Sequence, residues 1–319
     1  MIEAKQLTKR YGPTAAVQDL SFTVSPGVVT GFLGPNGAGK STTMRMILGL
    51  DRPTKGEVLV GGRRYDSYAA PLHEVGALLD AKAVHPNRSA FAHLLALAAS
   101  NGIGRRRVET MIEMVGLQEV AWKRAGTFSL GMGQRLGIAA ALLGDPQVIL
   151  MDEPVNGLDP AGIRWIRDLL RSLAAEGRTV FVSSHLMSEM ALTADQLVIV
   201  GRGRLLADVS MAEMTASVTP SVRLRTPQGE DLARLLQHPD VTVQQIEADV
   251  LSVTGRSSDE IARIALDHRV LLQELTPIQA SLEDAYLALT GSETEYRSTP
   301  VPAPPTVPTR TDSSRRAAA

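Results

Sequence analysis

A short glycine-rich segment carries the clearest signal for chemistry in this sequence. Residues 34–43 read GPNGAGKSTT, directly after the apolar run VVTGFL and at the start of the helical pattern KSTTMRMILGL. Glycines between a buried strand and a helix let backbone N–H groups converge on a phosphate, and the N-terminus of the helix adds positive potential. Gly34, Gly39, Lys40 and Ser41 fit the spacing G-x-x-x-x-G-K-[ST]. The segment therefore predicts a nucleotide site.

The lysine and the hydroxyl groups of this segment have separate predicted roles. Lys40 has the reach to contact the β- and γ-phosphates, and Ser41 is placed to ligate Mg²⁺. A glycine-rich turn that only caps a helix is the alternative interpretation, but the strand and the helix on either side favour the nucleotide site. The predicted nucleotide contacts are Gly34, Pro35, Asn36, Gly37, Ala38, Gly39, Lys40, Ser41 and Thr42.

Two adjacent carboxylates follow a second apolar run. Residues 148–154 read VILMDEP, so a predicted buried strand ends at Asp152 and Glu153. Beside a nucleotide, Asp152 would bind the metal ion and Glu153 would polarise a water molecule near the reacting phosphate. Acidic residues also occur in ordinary turns. The prediction for this pair therefore depends on the glycine-rich segment.

Composition and charge restrict the remaining possibilities. The 319 residues include 33 Lys and Arg and 34 Asp and Glu, a net charge of -1, so no broad positive surface for nucleic acid is predicted. The absence of Cys excludes disulfides, thiolate zinc sites and cysteine nucleophiles. The charged N-terminus does not fit a signal peptide, and no apolar run reaches the roughly 20 residues that span a bilayer. We expect a cytoplasmic protein whose contact with a membrane needs a partner.

The pattern of apolar runs predicts an α/β fold with appended parts. Residues 1–215 alternate strand-like runs with helical patterns, which is typical of a mostly parallel sheet covered by helices, and about 85–145 form a predicted helical subdomain. Residues 216–290 predict a small α+β domain, with strands at SVRLRT, VTVQQIEADVLSVTG and VLLQELT and a helix at SSDEIARIALDHR. Residues 291–319 are rich in Pro, Thr and Ser and predict a disordered tail.

Together with the segment FSLGMGQR at residues 128–135, these motifs resemble the ATP-binding subunits of ABC transporters. The resemblance covers residues 1–215 and implies a P-loop NTPase core of the ABC ATPase type that uses ATP and Mg²⁺. FSLGMGQR is similar to the family signature LSGGQ-x-Q-R, in which Ser129, Gly131 and Gln134 match. The resemblance implies that this helix N-terminus binds the γ-phosphate of a nucleotide held by a second copy. Read alone, the segment predicts a Ser-capped amphipathic helix.

Three further positions match the family in order along the chain. Asp159 in VNGLD matches a loop at the dimer interface, His185 after TVFVSS matches a histidine that contacts the γ-phosphate, and Tyr11 in KRYG matches an aromatic residue that stacks on adenine. A structural His and a surface Tyr are the alternative interpretations. With Glu153 and Lys40, His185 completes the catalytic set that the resemblance implies.

The sequence also departs from the family pattern. A glutamine that contacts Mg²⁺ is expected near VGALLDAKAVHPN, where Asp80 takes its place, and a carboxylate oxygen is a suitable Mg²⁺ ligand too. Leu130 and Met132 replace the usual Gly and Gln of the signature, and Asn156 replaces a Ser. The predicted metal ligands are Ser41, Asp80 and Asp152.

The resemblance implies an ATPase subunit that powers export of a small molecule, drug or peptide through a separate membrane permease. The appended small domain and the signature segment are similar to the exporter branch associated with drug, antibiotic or lantibiotic resistance. The alternatives are an importer subunit, a translation-associated factor and a DNA-repair ATPase, but the chain has one phosphate segment and no sustained heptad run. The predicted partners are the permease and a second ATP-binding subunit in a homodimer, without nucleic acid.

Overall fold

The structure, a computed structural model, describes residues 1–216, 220–278 and 282–290, without the side chains of residues 287, 288 and 290. The predicted tail at 291–319 lies outside the described residues. Within the described ranges the strands form three sheets. No helix in this part of the chain is both long and apolar enough to cross a membrane.

Two of the sheets lie in the first part of the chain. The strands are β1 (Ile2–Tyr11), β2 (Thr14–Val24), β3 (Val29–Leu33), β4 (Lys55–Val60), β5 (Val75–Leu78), β6 (Val148–Asp152), β7 (Thr179–Ser184), β8 (Gln196–Gly201) and β9 (Arg204–Ser210). A 6-stranded sheet has the order β5-β6-β7-β3-β8-β9 and is parallel except for the pair β8 and β9. The predicted parallel sheet is confirmed, because the apolar runs of β3, β6, β7 and β8 are its central strands.

A second, antiparallel sheet with the order β2-β1-β4 was not predicted from the sequence. Its apolar residues alternate along the strands, as in Phe22 and Val24 of β2, and pack against the face of the central sheet that carries Phe32 and Phe181. The rings of Phe22, Phe32 and Phe181 lie with their centroids 5.0 to 5.8 Å apart. This aromatic contact fixes the antiparallel sheet on the strands that lead to the predicted site.

Helices pack on both faces of the central sheet. The first helix, Lys40–Ile47, lies on the face that carries Phe32 and Phe181, and the others lie on the opposite face and extend into a helical subdomain. The helices are α1 (Lys40–Ile47), α2 (Ala90–Ser100), α3 (Arg105–Met114), α4 (Leu130–Leu142), α5 (Pro160–Ala175), α6 (Met187–Thr193) and α7 (Met211–Ala216). Helices α2, α3 and α4 pack on one another in the range predicted to be helical, and Leu94, Met111 and Leu136 are buried between them. Their shared core continues to β5 and β6, so the position of α4 is fixed relative to the sheet.

The C-terminal part contains the third sheet. Its elements are β10 (Ser221–Arg225), α8 (Gly229–Leu235), β11 (Thr242–Glu247), β12 (Val250–Thr254), α9 (Ser258–Asp267), β13 (Glu274–Ile278) and α10 (Leu282–Thr290). The 4-stranded antiparallel sheet has the order β11-β12-β10-β13 and encloses a separate apolar core with α8 and α9. Helix α8 was not predicted, and β13 lies at the end of the run VLLQELT rather than at its start.

Helix α10 packs on the first part of the chain. Leu282, Ala285 and Tyr286 are buried in the same apolar core as Met190 of α6 and Met214 of α7. The predicted domain of residues 216–290 therefore ends in a helix that contacts the predicted domain of residues 1–215. The exact division between the two remains a prediction.

Candidate functional site

The predicted phosphate segment and the predicted carboxylates meet at one cavity. It lies at the carboxyl ends of β3 and β6, where parallel α/β sheets place their ligands, and has a volume of about 250 Å³. Its lining residues are Ala16, Pro35, Asn36, Gly37, Ala38, Gly39, Lys40, Ser41, Thr42, Asp152 and Glu153. The structure thus brings together residues that lie more than a hundred positions apart in the sequence.

The glycine-rich segment needs Gly39 for two reasons. Its φ is 98°, in the left-handed region that favours glycine, and a Cβ there would lie 2.5 Å from the carbonyl oxygen of Ala16. Gly39 is the residue before α1, so this turn points the helix N-terminus at the cavity. The same geometry explains why a glycine, and not a larger residue, precedes Lys40.

Lys40 is held inside the loop. Its Nζ donates to the carbonyl oxygens of Gly34 at 2.6 Å and Pro35 at 3.3 Å, and the residue is 7% exposed. Burial lowers the pKa of Lys40, whereas the charges of Glu153 and Asp152 act in the opposite direction. The ammonium group is therefore poorly hydrated, so that an added anion such as phosphate would interact with it strongly.

Two of the predicted metal ligands are in contact. Ser41 donates from Oγ to Oδ2 of Asp152 at 2.7 Å, and Ser183 of β7 donates a short hydrogen bond to Oδ1 of the same carboxylate. Asp152 and Ser183 are paired positions of the parallel strands β6 and β7. Ser183 was not named from the sequence, and the signal for it is only this strand register.

The backbone of Glu153 is unusual. Its φ is 52°, an uncommon value for a residue with a side chain, and its N–H donates to Oγ of Ser183 at 3.0 Å and to the carbonyl oxygen of Ser183 at 3.3 Å. The Glu153 carboxylate lies 2.7 Å from Nδ1 of His185, and the two side chains are 20% and 48% exposed. The predicted catalytic pair is thus in contact and partly open to solvent.

The side chain of Gln134 faces the interior of its own chain, and its predicted nucleotide contact stays a prediction. Its side chain is 4% exposed and its Nε2 donates to the carbonyl oxygen of Glu153 at 3.1 Å, within the same chain. Gln134 lies beyond the first turn of α4, where its amide reaches the main chain that follows β6. Sequence similarity placed it in the signature but could not show which way the residue faces.

The first turn of the signature helix is on the surface. Ser129 is exposed and its Oγ accepts the N–H of Met132 at 3.2 Å, which makes it the N-cap of α4, while Leu130 is 51% exposed. Asp159 is likewise exposed and caps α5 by accepting the N–H of Gly162 at 2.9 Å. Both residues therefore have a structural role in the single chain, and their predicted nucleotide contacts remain predictions.

Tyr11 and Asp80 lie outside the lining of the cavity. Tyr11 is 49% exposed, and its hydroxyl donates to Asp51 at 3.0 Å while Lys9 lies 5.0 Å from the ring centroid. Asp80 is exposed and accepts the N–H of Lys82 at 2.8 Å. Adenine stacking and metal binding by these two residues stay predictions.

Comparison with known proteins identifies the class of protein. The family model described as ABC transporter matches residues 17–156, and a domain of unknown function matches residues 220–283. The chain is 36% identical over 298 residues to the uncharacterized ABC transporter ATP-binding protein YhcH of Bacillus subtilis, covering 92% of this chain and 97% of that protein. The chain belongs to the ABC transporter ATP-binding proteins, as its motifs predict.

Two named relatives resemble nearly the whole chain. The bacitracin transport ATP-binding protein BcrA of Bacillus licheniformis is 35% identical over 302 residues, covering 92% of this chain and 98% of that protein. The Nod factor export ATP-binding protein I of Rhizobium etli is 33% identical over 305 residues, covering 92% of this chain and 94% of that protein. The predicted membership in the drug and antibiotic exporter branch is confirmed.

A solved structure supports the fold and the activity. The dimeric post-hydrolysis state of the ATP-binding cassette MJ0796, bound to ADP and Pi, matches with a TM-score of 0.62 and 25% identity, covering 66% of this chain and 99% of that chain. The predicted P-loop core is confirmed. The chain is an ATPase, and its hydrolysis of ATP is coupled to transport.

Proposed function

We propose that this chain is the ATP-hydrolysing subunit of an exporter that moves a small molecule, drug or peptide out of the cell. It would sit on the cytoplasmic face of the membrane, bound to a separate permease. The observation that carries the chemistry is a pair of contacts at the end of β6. Ser41 bonds Asp152, and His185 bonds Glu153, the next residue along the chain. The relatives named for bacitracin transport and Nod factor export favour export over the importer, translation and DNA-repair alternatives.

The donor set at Ser41 fits Mg²⁺. A hydroxyl and a carboxylate oxygen already meet at 2.7 Å, and oxygen ligands of this kind suit a cation that keeps waters and phosphate oxygens in its remaining positions. Within the described residues no group of three or more His, Cys, Asp and Glu side chains could hold a metal ion by itself. Mg²⁺ would neutralise charge on the phosphates. We include the prediction that Asp80 contributes a further oxygen.

Each side chain at the cavity has a proposed task. Lys40 and the loop N–H groups bind the β- and γ-phosphates, which positions the nucleotide. Glu153 orients the attacking water and takes up its proton at a carboxylate oxygen, while His185 holds the Glu153 side chain at 2.7 Å. His185 also has the exposure needed to contact the γ-phosphate. Tyr11 would stack on the adenine.

The second half of the site would come from a second copy. Ser129, Gly131 and Asp159 lie at or beside exposed helix N-termini, where N–H groups and positive potential favour an anion. In a homodimer this surface would close over the phosphates held by Lys40 of the other copy. The dimeric relative bound to ADP and Pi supports this arrangement.

Transport can be tested in vesicles. The full chain is reconstituted with the membrane protein that copurifies with it, and bacitracin serves as the probe because a relative is named for its transport. We expect MgATP to drive bacitracin across the membrane in the export direction, with Lys40→Ala as the inactive control. ATP-driven movement in the import direction, or hydrolysis that no exported probe stimulates while an imported solute does, would contradict the proposal.

Metal dependence can be tested separately. Removal of Mg²⁺ with a chelator should abolish hydrolysis, and Mg²⁺ should restore it, because Ser41 and Asp152 supply two oxygen ligands. Asp152→Asn should raise the Mg²⁺ concentration that half-maximal turnover needs. An unchanged Mg²⁺ dependence in this variant would mean that Asp152 does not bind the metal.

A further inference from the structure

The buried amide of Gln134 has an unexpected partner. Its Nε2 donates 3.1 Å to the main-chain carbonyl oxygen of Glu153, 19 positions along the chain, and the side chain is 4% exposed. A buried amide that lost this acceptor would leave a donor unsatisfied. The bond joins α4, the helix that Ser129 caps, to the residue that carries the proposed water-orienting carboxylate.

Glu153 needs such support because of its backbone. A residue with a Cβ at a φ of 52° is less stable than in the right-handed region, because its Cβ crowds the following carbonyl oxygen. Such a conformation persists only when its surroundings fix it. Ser183 fixes the N–H of Glu153 from the side of β7. The Glu153 carbonyl oxygen accepts two donors, the Asn156 N–H at 3.2 Å from the local turn and the Gln134 amide at 3.1 Å, which alone ties it to α4. The two peptide groups on either side of Glu153 are therefore each held by a hydrogen bond.

The direction of the carboxylate follows from this backbone. The Cα–Cβ bond of Glu153 is set by its backbone angles, and the carboxylate then meets Nδ1 of His185 at 2.7 Å. A relaxation of φ to a negative value would swing the side chain away from His185 and from the cavity that Glu153 lines. A misplacement of about 1 Å at a reacting group is enough to lower a rate by about a hundredfold.

We propose that Gln134 is a positioning residue for hydrolysis, which holds the strained backbone of Glu153 so that its carboxylate orients the attacking water. The inference rests on the proposed role of Glu153. Helix α4 would then have two tasks. Its N-terminus at Ser129 would face the nucleotide of another copy, and Gln134 would fix the Glu153 carboxylate of its own chain. In this role Gln134 acts through Glu153 and not through a contact with the nucleotide.

The test compares two substitutions of matched size. Gln134→Met keeps an unbranched side chain without a donor, and Gln134→Glu keeps the shape but places a carboxyl against a carbonyl oxygen. We expect Gln134→Met to lower kcat about tenfold or more while KM for ATP and the Kd for ATP stay within about twofold. Gln134→Glu with its carboxylate ionised should show an equally low kcat, because an ionised carboxylate cannot donate a hydrogen bond to the Glu153 carbonyl.

The pH profile separates positioning from packing. A buried carboxyl has a raised pKa, and its protonated form can donate to the Glu153 carbonyl. The activity of Gln134→Glu relative to wild type should therefore increase as the pH falls from 8 to about 6, whereas the relative activity of Gln134→Met should not change. Leu136→Ala, a buried change on the same helix, is the control for lost packing: it should lower Tm and leave kcat of the folded protein near wild type.

Two results would overturn the inference. One is a normal kcat for Gln134→Met. The other is that the activity of Gln134→Glu relative to wild type does not change with pH, and that the kcat of both Gln134 variants falls only in proportion to their Tm, as for a packing defect. Glu153→Gln, measured in parallel, distinguishes the underlying proposal. If Glu153→Gln is inactive and Gln134→Met is normal, only the positioning role fails. If Glu153→Gln hydrolyses ATP at a near-normal rate, the role of Glu153 fails first.

Discussion

At the phosphate cavity the side chains proposed for hydrolysis already contact one another. At the signature surface, the exposed helix N-termini at Ser129 and Asp159, the polar side chains instead cap their own helices. Lys40 is enclosed by its loop, Ser41 bonds Asp152, and Glu153 bonds His185. Ser129 is exposed and its Oγ accepts a backbone N–H of α4. The first region is assembled by one chain. The second presents an exposed helix N-terminus, which we propose binds the phosphate held by another copy.

The difference fits our proposal that the site is shared between two copies. Binding of nucleotide should depend on the cavity and be possible for a single chain, while turnover should also depend on the signature surface of another. Substitutions in the two regions should therefore separate binding from turnover.

Lys40→Ala should remove most nucleotide binding and turnover. The substitution deletes the ammonium group next to the β- and γ-phosphates, and we expect a loss of about a hundredfold or more in kcat/KM. Nucleotide titration and an ATPase assay measure both effects. Lys55→Ala, at an exposed position of β4, is the matched control and should behave as wild type. Unchanged affinity in Lys40→Ala would show that the loop does not bind the phosphates.

Ser129→Asp should affect turnover but not binding by the single chain. Aspartate caps a helix as well as serine does, so the Tm should not fall. Its charge would repel the γ-phosphate presented by the other copy, and we expect kcat to decrease about tenfold or more. Ser129→Asn, a neutral cap, should be less affected, and Ser89→Asp makes the same change at the cap of α2. Full activity of Ser129→Asp would leave the signature surface without a role.

Gly157→Ala should destabilise the junction between the signature helix and the neighbouring loop. The new Cβ would lie 2.4 Å from Cγ of Leu130, at a residue whose φ is 75°. We expect a loss of about 2 kcal/mol in the free energy of unfolding, measured with urea. Leu130→Ala should recover part of this loss in a double-mutant cycle, because it removes the clashing atoms.

Gly102→Ala is the control for that experiment. Its φ is 69° and nothing lies within 4 Å of the added Cβ, so it introduces the backbone strain without the clash. The loss in Gly157→Ala should exceed the loss in Gly102→Ala. Equal losses in the two variants would mean that contact with Leu130 has no effect on stability.

The sequence predicted the elements whose signal is local. The runs at β3, β6 and β7 are continuous and apolar, and the glycine-rich segment has fixed spacing, so these signals predicted the parallel sheet and the cavity-lining residues other than Ala16. Ser183 and Gln134 could not be predicted in the same way. Ser183 is placed by the register of β7 on β6, and Gln134 by the packing of α4, and both depend on contacts between distant segments.

Other parts of the fold show the same limit. The antiparallel pairing of β1, β2 and β4 joins segments across the phosphate loop, and short apolar runs do not reveal which strands they pair with. Leu282 and Tyr286 of α10 looked like part of the small C-terminal domain in sequence, but they are buried against α6 and α7. Proximity in sequence was a poor guide there, because the chain returns after β13 to the apolar core formed by the first part of the chain.

The most direct test of the account is the ATPase rate of Glu153→Gln, measured beside its affinity for ATP. The substitution keeps the size of the side chain and leaves Lys40, Ser41 and Asp152 in place, so we predict wild-type affinity, a kcat lower by about a hundredfold, and more dimer than wild type in MgATP on size-exclusion chromatography. Near-normal hydrolysis by this variant, alone or bound to its permease, would contradict the claim that the carboxylate at the end of β6 orients the water.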